Sequence, residues 1–82
     1  MIPKKVNKAD LDHAVSALNR RVALPVTLGQ FVVGYGMGGC RLEYDRGART
    51  VTSYLTKREC WSYMRAMMDG IDFVRGRPPY RG

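Results

Sequence analysis

Four of the six residues from Gly34 to Gly39 are glycine, with Tyr35 and Met37 between them. A run of this kind cannot sustain a helix, because glycine loses more backbone freedom on ordering than any other residue. It also weakens a strand interior. It therefore marks a tight or bulged turn, or a place where another group approaches the backbone closely. The flanking residues identify the setting. Gln30 to Tyr35 is β-rich, and Cys40, Leu42 and Tyr44 alternate with Arg41 and Glu43, a period of two that predicts strands. Asp45-Arg46-Gly47-Ala48 supplies a second turn, and Arg49 to Tyr54, rich in Thr and Val, predicts a third strand. The middle of the chain thus reads as a three-stranded antiparallel meander.

On both sides the period changes to that of a helix. Leu11, Val15, Leu18 and Val22 recur at spacings of four, three and four, and Ala14 widens the stripe; this predicts an amphipathic helix over 8–22. Asn7 is a suitable N-cap, with Asp10 at the third helical position in a variant of the capping box. Arg20 and Arg21 suit the negative end of the helix dipole, and Pro25 forces a stop. Thr56-Lys57-Arg58-Glu59 is a full capping-box signature. Cys60, Met64, Met67 and Ile71 then repeat at four, three and four, flanked by Trp61, Tyr63 and Met68. Gly70 is expected to end this second helix, with Ile71 folding back as its apolar contact.

The resulting fold class is α+β: helix, three-stranded antiparallel sheet, helix, with flexible basic termini. Eighty-two residues allow one domain, expected over 8–73, between a loose basic lead-in (1–7) and a mobile basic tail (74–82). The 45% hydrophobic content excludes wholesale disorder. No stretch approaches the roughly 20 apolar residues of a membrane-spanning helix. No apolar segment follows Lys4 and Lys5, so a secretory leader is not expected either. Cys40 and Cys60 are separated by nineteen residues with no Cys-x-x-Cys unit, and His13 is the sole histidine. A structural zinc site needs about four such ligands. Two small buried residues in a reducing cytoplasm are therefore expected, although a disulfide between them is geometrically conceivable. No cofactor or metal is expected.

The run from Phe31 to Leu42, followed by Thr56-Lys57-Arg58-Glu59 and by Met64-Arg65-Ala66-Met67-Met68-Asp69-Gly70-Ile71, resembles a group of short phage and prophage proteins. In these a Gly- and Tyr-rich hairpin precedes a Thr-Lys-Arg-Glu helix that ends near a glycine. The resemblance covers about half of the chain and implies a phage accessory protein acting in the bacterial cytoplasm; it brings no catalytic residues. At the C-terminus, Arg75-Gly76-Arg77-Pro78 is similar to the core of the AT-hook, which lies extended in the minor groove of A·T-rich DNA. Arginines entering that groove meet an enhanced negative potential. The string departs from the motif at Pro79 and Tyr80, where a further basic residue is usual.

The net charge of +7 attracts polyanions, and its distribution along the chain is uneven. Residues 1–8 carry +3 and residues 74–82 carry +3, leaving +1 for everything between. The leading expectation is a non-enzymatic nucleic-acid-binding protein, with duplex DNA favoured over RNA. Arg75, Gly76, Arg77, Pro78 and Arg81 at one end, and Lys4, Lys5 and Lys8 at the other, would contact groove and phosphates. Lys57, Arg58 and Arg65 on the polar side of the second helix are further candidates for phosphate contact. The rival expectation is an inhibitor or adaptor that binds a host bacterial protein through Trp61, Tyr63, Met68, Tyr35 and Met37, residue types enriched at interfaces. Self-association as a homodimer is a third. Gly34-Tyr35-Gly36 lacks the basic and aromatic neighbours of an RNA-recognition strand, and no phosphate-binding glycine loop opens a helix. His13, Asp10 and Asp12 form no catalytic constellation, and no nucleophile motif is present.

Overall fold

The computed structural model describes residues 5–22, 29–45 and 48–76. The proposed stop at Pro25, the turn residues Arg46 and Gly47, and Lys4, Arg77, Pro78 and Arg81 lie outside the described residues. The order is α1 (Lys8–Val22), β1 (Phe31–Gly36), β2 (Gly39–Tyr44), β3 (Arg49–Thr50) and α2 (Lys57–Val74). The sheet is antiparallel in the order β1-β2-β3. Both helices lie on one face of it and pack against each other.

Each helix starts with the same device. Asn7 N–H donates to Asp10 Oδ2 at 2.9 Å, and Asp10 N–H donates to Asn7 Oδ1 at 3.0 Å. At α2, Thr56 N–H donates to Glu59 Oε1 at 3.0 Å and Glu59 N–H to Thr56 Oγ1 at 3.1 Å. In both cases the residue before the cap joins the core, Val6 beside Leu11 and Leu55 beside Cys60, as in a hydrophobic staple. The lead-in expected to be loose up to residue 7 is therefore anchored at its end: Val6 is only 5% exposed.

The core consists of Leu11, Ala14 and Leu18 from α1, Cys40 and Leu42 from β2, and Cys60, Met64 and Met68 from α2, with Val6 closing one end. The helical spacing predicted from sequence supplies most of this set. Two expectations about endings are corrected. Gly70 does not stop α2, which continues to Val74, so Ile71 is an ordinary helical residue packed against the core. The stop is at Gly76, φ +76°, whose N–H donates to Phe73 O while Arg75 N–H donates to Ile71 O. The third strand, expected over Arg49 to Tyr54, pairs regularly only at Arg49 and Thr50. Beyond them the Val51 and Thr52 amides both reach Leu42 O, and the Thr52 hydroxyl accepts the Leu42 N–H at 3.1 Å. A side chain has taken the place of a ladder partner. Pairing resumes only as a bridge between Cys40 and Leu55.

The glycine run resolves into two functions. Met37 (φ +49°) and Gly38 (φ +75°) form a two-residue turn closing on the Gly36–Gly39 pair. Both central residues are left-handed, the geometry that suits the twist of a hairpin and normally recruits Asn or Gly. A methionine there costs about 1 kcal/mol. The remaining glycines admit neighbours. A Cβ on Gly34 would collide with the Glu43 carboxylate, one on Gly36 would press on the Tyr54 ring, and one on Gly39 would lie 2.6 Å from the Leu55 carbonyl. On the sheet face away from the helices, the Arg41 guanidinium bridges Glu43 (2.7 Å) and the Tyr54 ring (4.7 Å) across this trough.

These assignments make opposite predictions for two glycine-to-alanine changes. Gly39→Ala pushes a methyl group into the Leu55 carbonyl and should lower unfolding stability by about 1–3 kcal/mol. Gly70→Ala, in a helix interior with no atom within 4 Å of the added Cβ, should raise it by about 0.5–1 kcal/mol. Urea unfolding of the two variants reads both signs.

Candidate nucleic-acid interface

The two helices run side by side in the same direction. Asp10 and His13 near the start of α1 share a groove with Trp61 and Arg65 near the start of α2. At the far ends Arg21 Nε contacts both Asp72 carboxylate oxygens at 3.2 Å. The β1–β2 hairpin turns at the starting end, because Tyr35 pairs with Cys40 and Cys40 bridges Leu55, two residues before α2. Both helix N-termini and the hairpin tip therefore meet at one end of the molecule.

That end carries Lys5, Lys8, Lys57 and Arg58, all exposed. Its carboxylates are Asp10, Asp12 and Glu59, of which Asp10 and Glu59 are turned in on backbone N–H groups. Accepting the Thr56 backbone amide holds the Glu59 carboxyl below its ordinary range. The Lys8 ammonium sits over the Tyr35 ring, 5.3 Å from its centroid. Burial raises the Tyr35 phenol above its ordinary value, with Asp12 adding to the effect. Tyr35 nonetheless remains 44% exposed, and Met37 at the tip is 89% exposed.

The residues singled out from sequence are thus divided by the fold. Lys5 and Lys8 join Tyr35 and Met37. Arg75 and Gly76 lie at the opposite end of α2, about 27 Å away over its 18 residues, where they form the helix stop. Gly76 is left-handed, so the first half of the Arg-Gly-Arg-Pro string is not extended as the AT-hook is. Trp61 is half-buried in the α1–α2 groove with the Arg65 guanidinium 5.6 Å from its ring. Tyr63 is exposed on the other flank of α2, and Met68 is buried at 3% exposure. Trp61 and Met68 both line the α1–α2 groove while Tyr63 faces elsewhere, so the three form no common surface; Met68 mainly fills the core and its sulfur accepts from Arg21 Nη1 at 3.3 Å. The convergence of Lys57 and Arg58 with Lys5 and Lys8 was beyond sequence reasoning, since it depends on the helices being parallel. The Glu43–Arg41–Tyr54 cluster over the glycines was also missed; Gly34 and Gly36 alternating opposite Arg41 and Glu43 was the available signal.

The groove between the helices, about 330 Å³, presents Arg20, Arg65 and His13 around the Trp61 indole. Asp10, on the rim of this groove, accepts the Asn7 N–H through Oδ2 as part of its cap. Among the described residues no group of three or more His, Cys, Asp or Glu could hold a metal ion. No described helix is long and apolar enough to cross a membrane. Cys40 and Cys60 are free thiols, both fully buried and adjacent. Burial first, then the Cys40 neighbour, pushes the Cys60 thiol up to about 12, the opposite of an activated nucleophile. No protein family, curated protein or solved structure matches the chain.

The thiol pair makes stability pH-dependent. In the unfolded chain Cys60 ionises near 9.0, whereas in the fold it keeps its proton to about 12. The unfolded state therefore binds fewer protons above pH 9, and stability falls as pH rises through that window. Chemical unfolding from neutral to alkaline pH should show this decline, and Cys60→Val should flatten it. At about pH 8 a thiol-specific reagent should modify neither cysteine until denaturant is added.

Proposed function

We propose that this chain is a small non-enzymatic nucleic-acid-binding protein, of the phage accessory kind that the hairpin and Thr-Lys-Arg-Glu helix resemble, acting on duplex DNA in the bacterial cytoplasm. The supporting observation is the gathering of Lys5, Lys8, Lys57 and Arg58 around the exposed Tyr35–Met37 hairpin. Lys8, Lys57 and Arg58 sit in the first turns of two helices and Lys5 just before one of them, so the fold sets the backbone positions from which these cations extend. Lys4, outside the described residues, precedes this group in sequence and would contribute a further positive charge. Arg75, with Arg77 and Arg81 after it, provides a second basic end; a spacing of about 27 Å corresponds to roughly eight base pairs of duplex. The Arg75–Gly76 helix stop favours phosphate contact over deep groove insertion for this second end.

Fluorescence anisotropy with a labelled duplex at several salt concentrations tests the proposal. Binding should weaken steeply with salt, and Lys8→Gln and Lys57→Gln should each reduce the log–log slope by about 1, equally on A·T-rich and G·C-rich duplexes. A chain ending at Gly76 keeps the helix stop and should retain most of the binding. Absence of binding to duplex or single strand at low salt rejects the assignment.

One observation favours a protein partner at the other end. Phe73 and Val74 are 72% and 84% exposed. Val74 borders a shallow, mostly apolar groove of about 460 Å³ with Met67, Gly70, Ile71 and Arg75, and Tyr63 lies on the same flank by helical spacing. Such a patch suits a host bacterial protein or a second copy of the chain. Retention of a specific host protein from nuclease-treated lysate, or a dimer mass in solution, would support this reading if Val74→Glu abolishes it. A monomer that retains nothing excludes it.

A further inference from the structure

We propose that Met37 is a wedge that enters a DNA base step and kinks the duplex, an inference that rests on the nucleic-acid reading above and assigns the hairpin its role in it. The residue breaks two local rules together. It occupies a left-handed turn position, φ +49°, where Asn or Gly is favoured, and it is an apolar side chain 89% exposed. Neither property serves the fold, because the turn would close better on Asn and nothing packs on the methionine. Backbone strain combined with apolar exposure at one tip points to a contact made outside the chain.

The surroundings define what it contacts. Tyr54 lies against Gly36 and the Leu55 carbonyl against Gly39, but at the turn itself a Cβ on Gly38 would meet no atom within 4 Å, so Met37 is the one side chain that projects there. The two-stranded ribbon itself has the width of a major groove, but a single unbranched apolar side chain projecting from its turn fits a minor groove of about 6 Å. Proteins that bend DNA insert Met, Leu, Ile, Phe or Pro between bases in this way. The tip is also held firmly. Gly36 pairs with Gly39, and Cys40 exchanges two backbone hydrogen bonds with Leu55 (2.9 and 2.7 Å), so force on the tip is carried into α2. Lys8, over Tyr35, lies two residues from the tip along the strand, with Lys5, Lys57 and Arg58 behind it. This places phosphate-binding charge beside the wedge, where a kinked backbone would converge. An apolar protein pocket would accept Met37 but would not call for these cations.

The test uses the full chain and a duplex of about 20 base pairs with a central TA step, the kind most easily unstacked. Donor and acceptor dyes at its ends report bending, and 2-aminopurine at the step reports unstacking. The wild type should bring the ends together and raise the 2-aminopurine signal. Met37→Leu keeps an apolar wedge and should do the same. Met37→Asn relieves the turn, so it should fold at least as stably, bind with the same salt slope, and lose both signals with an affinity loss of up to about tenfold. Wild-type binding without bending, or equal bending by Met37→Asn, overturns the wedge and leaves the nucleic-acid assignment standing. Failure of the wild type to bind overturns both.

Discussion

The two hydrogen bonds exchanged between Cys40 and Leu55 hold the rest of the arrangement in place. They join the end of the hairpin to the residue that introduces α2, and they form only because Gly39 has no side chain to obstruct the Leu55 carbonyl. From that junction the N-terminus of α2 is fixed beside the hairpin tip. Packing of α1 on α2, with the Arg21–Asp72 pair at the far end, then brings the start of α1 to the same place. The grouping of Lys5 and Lys8 with Lys57 and Arg58 follows from this contact and that packing, although the two pairs are far apart in sequence.

Much of the architecture was legible because it is encoded locally. Both capping boxes lie within four residues, and the apolar repeats of α1 and α2 name nearly the whole helical core. What was not legible depends on competition or on distance. Gly70 has the right chemistry for a helix stop, but Met67 and Ile71 gain more by remaining on the core-facing stripe, so the helix runs on to Gly76. Arg49 to Tyr54 has strand composition, yet the Thr52 hydroxyl captures the Leu42 amide that a continuous strand would have paired. The charge distribution was misjudged for the same reason. Lys8 was counted with the basic lead-in for charge although it was expected to begin the first helix, and its place over the Tyr35 ring across the fold was not legible.

The candidate site was only partly visible. Sequence separated the basic termini from a neutral body, but it could not show that one terminus meets two further cations and an exposed hairpin while the other meets an apolar patch. The structure thus has two unlike ends, one cationic around the hairpin, the other combining the exposed apolar Phe73 and Val74 with Arg75. Residues of similar type, such as Trp61 and Tyr63, are assigned to different surroundings because two positions along a helix bring the side chain to nearly the opposite face.

Asn19 has a consequence for how copies of the chain meet. Its side-chain amide accepts from Phe31 N–H at 2.8 Å and donates to Phe31 O at 2.9 Å, so it satisfies the outward backbone groups at the beginning of the edge strand. A side chain on α1 thereby occupies the register in which an incoming strand would start to pair. At the opposite edge β3 offers only two residues. Growth of the sheet by stacking neighbours edge to edge, the usual route from small β structures to aggregates, is hindered from both sides, and the hairpin can present a bare apolar tip without the sheet behind it becoming a template.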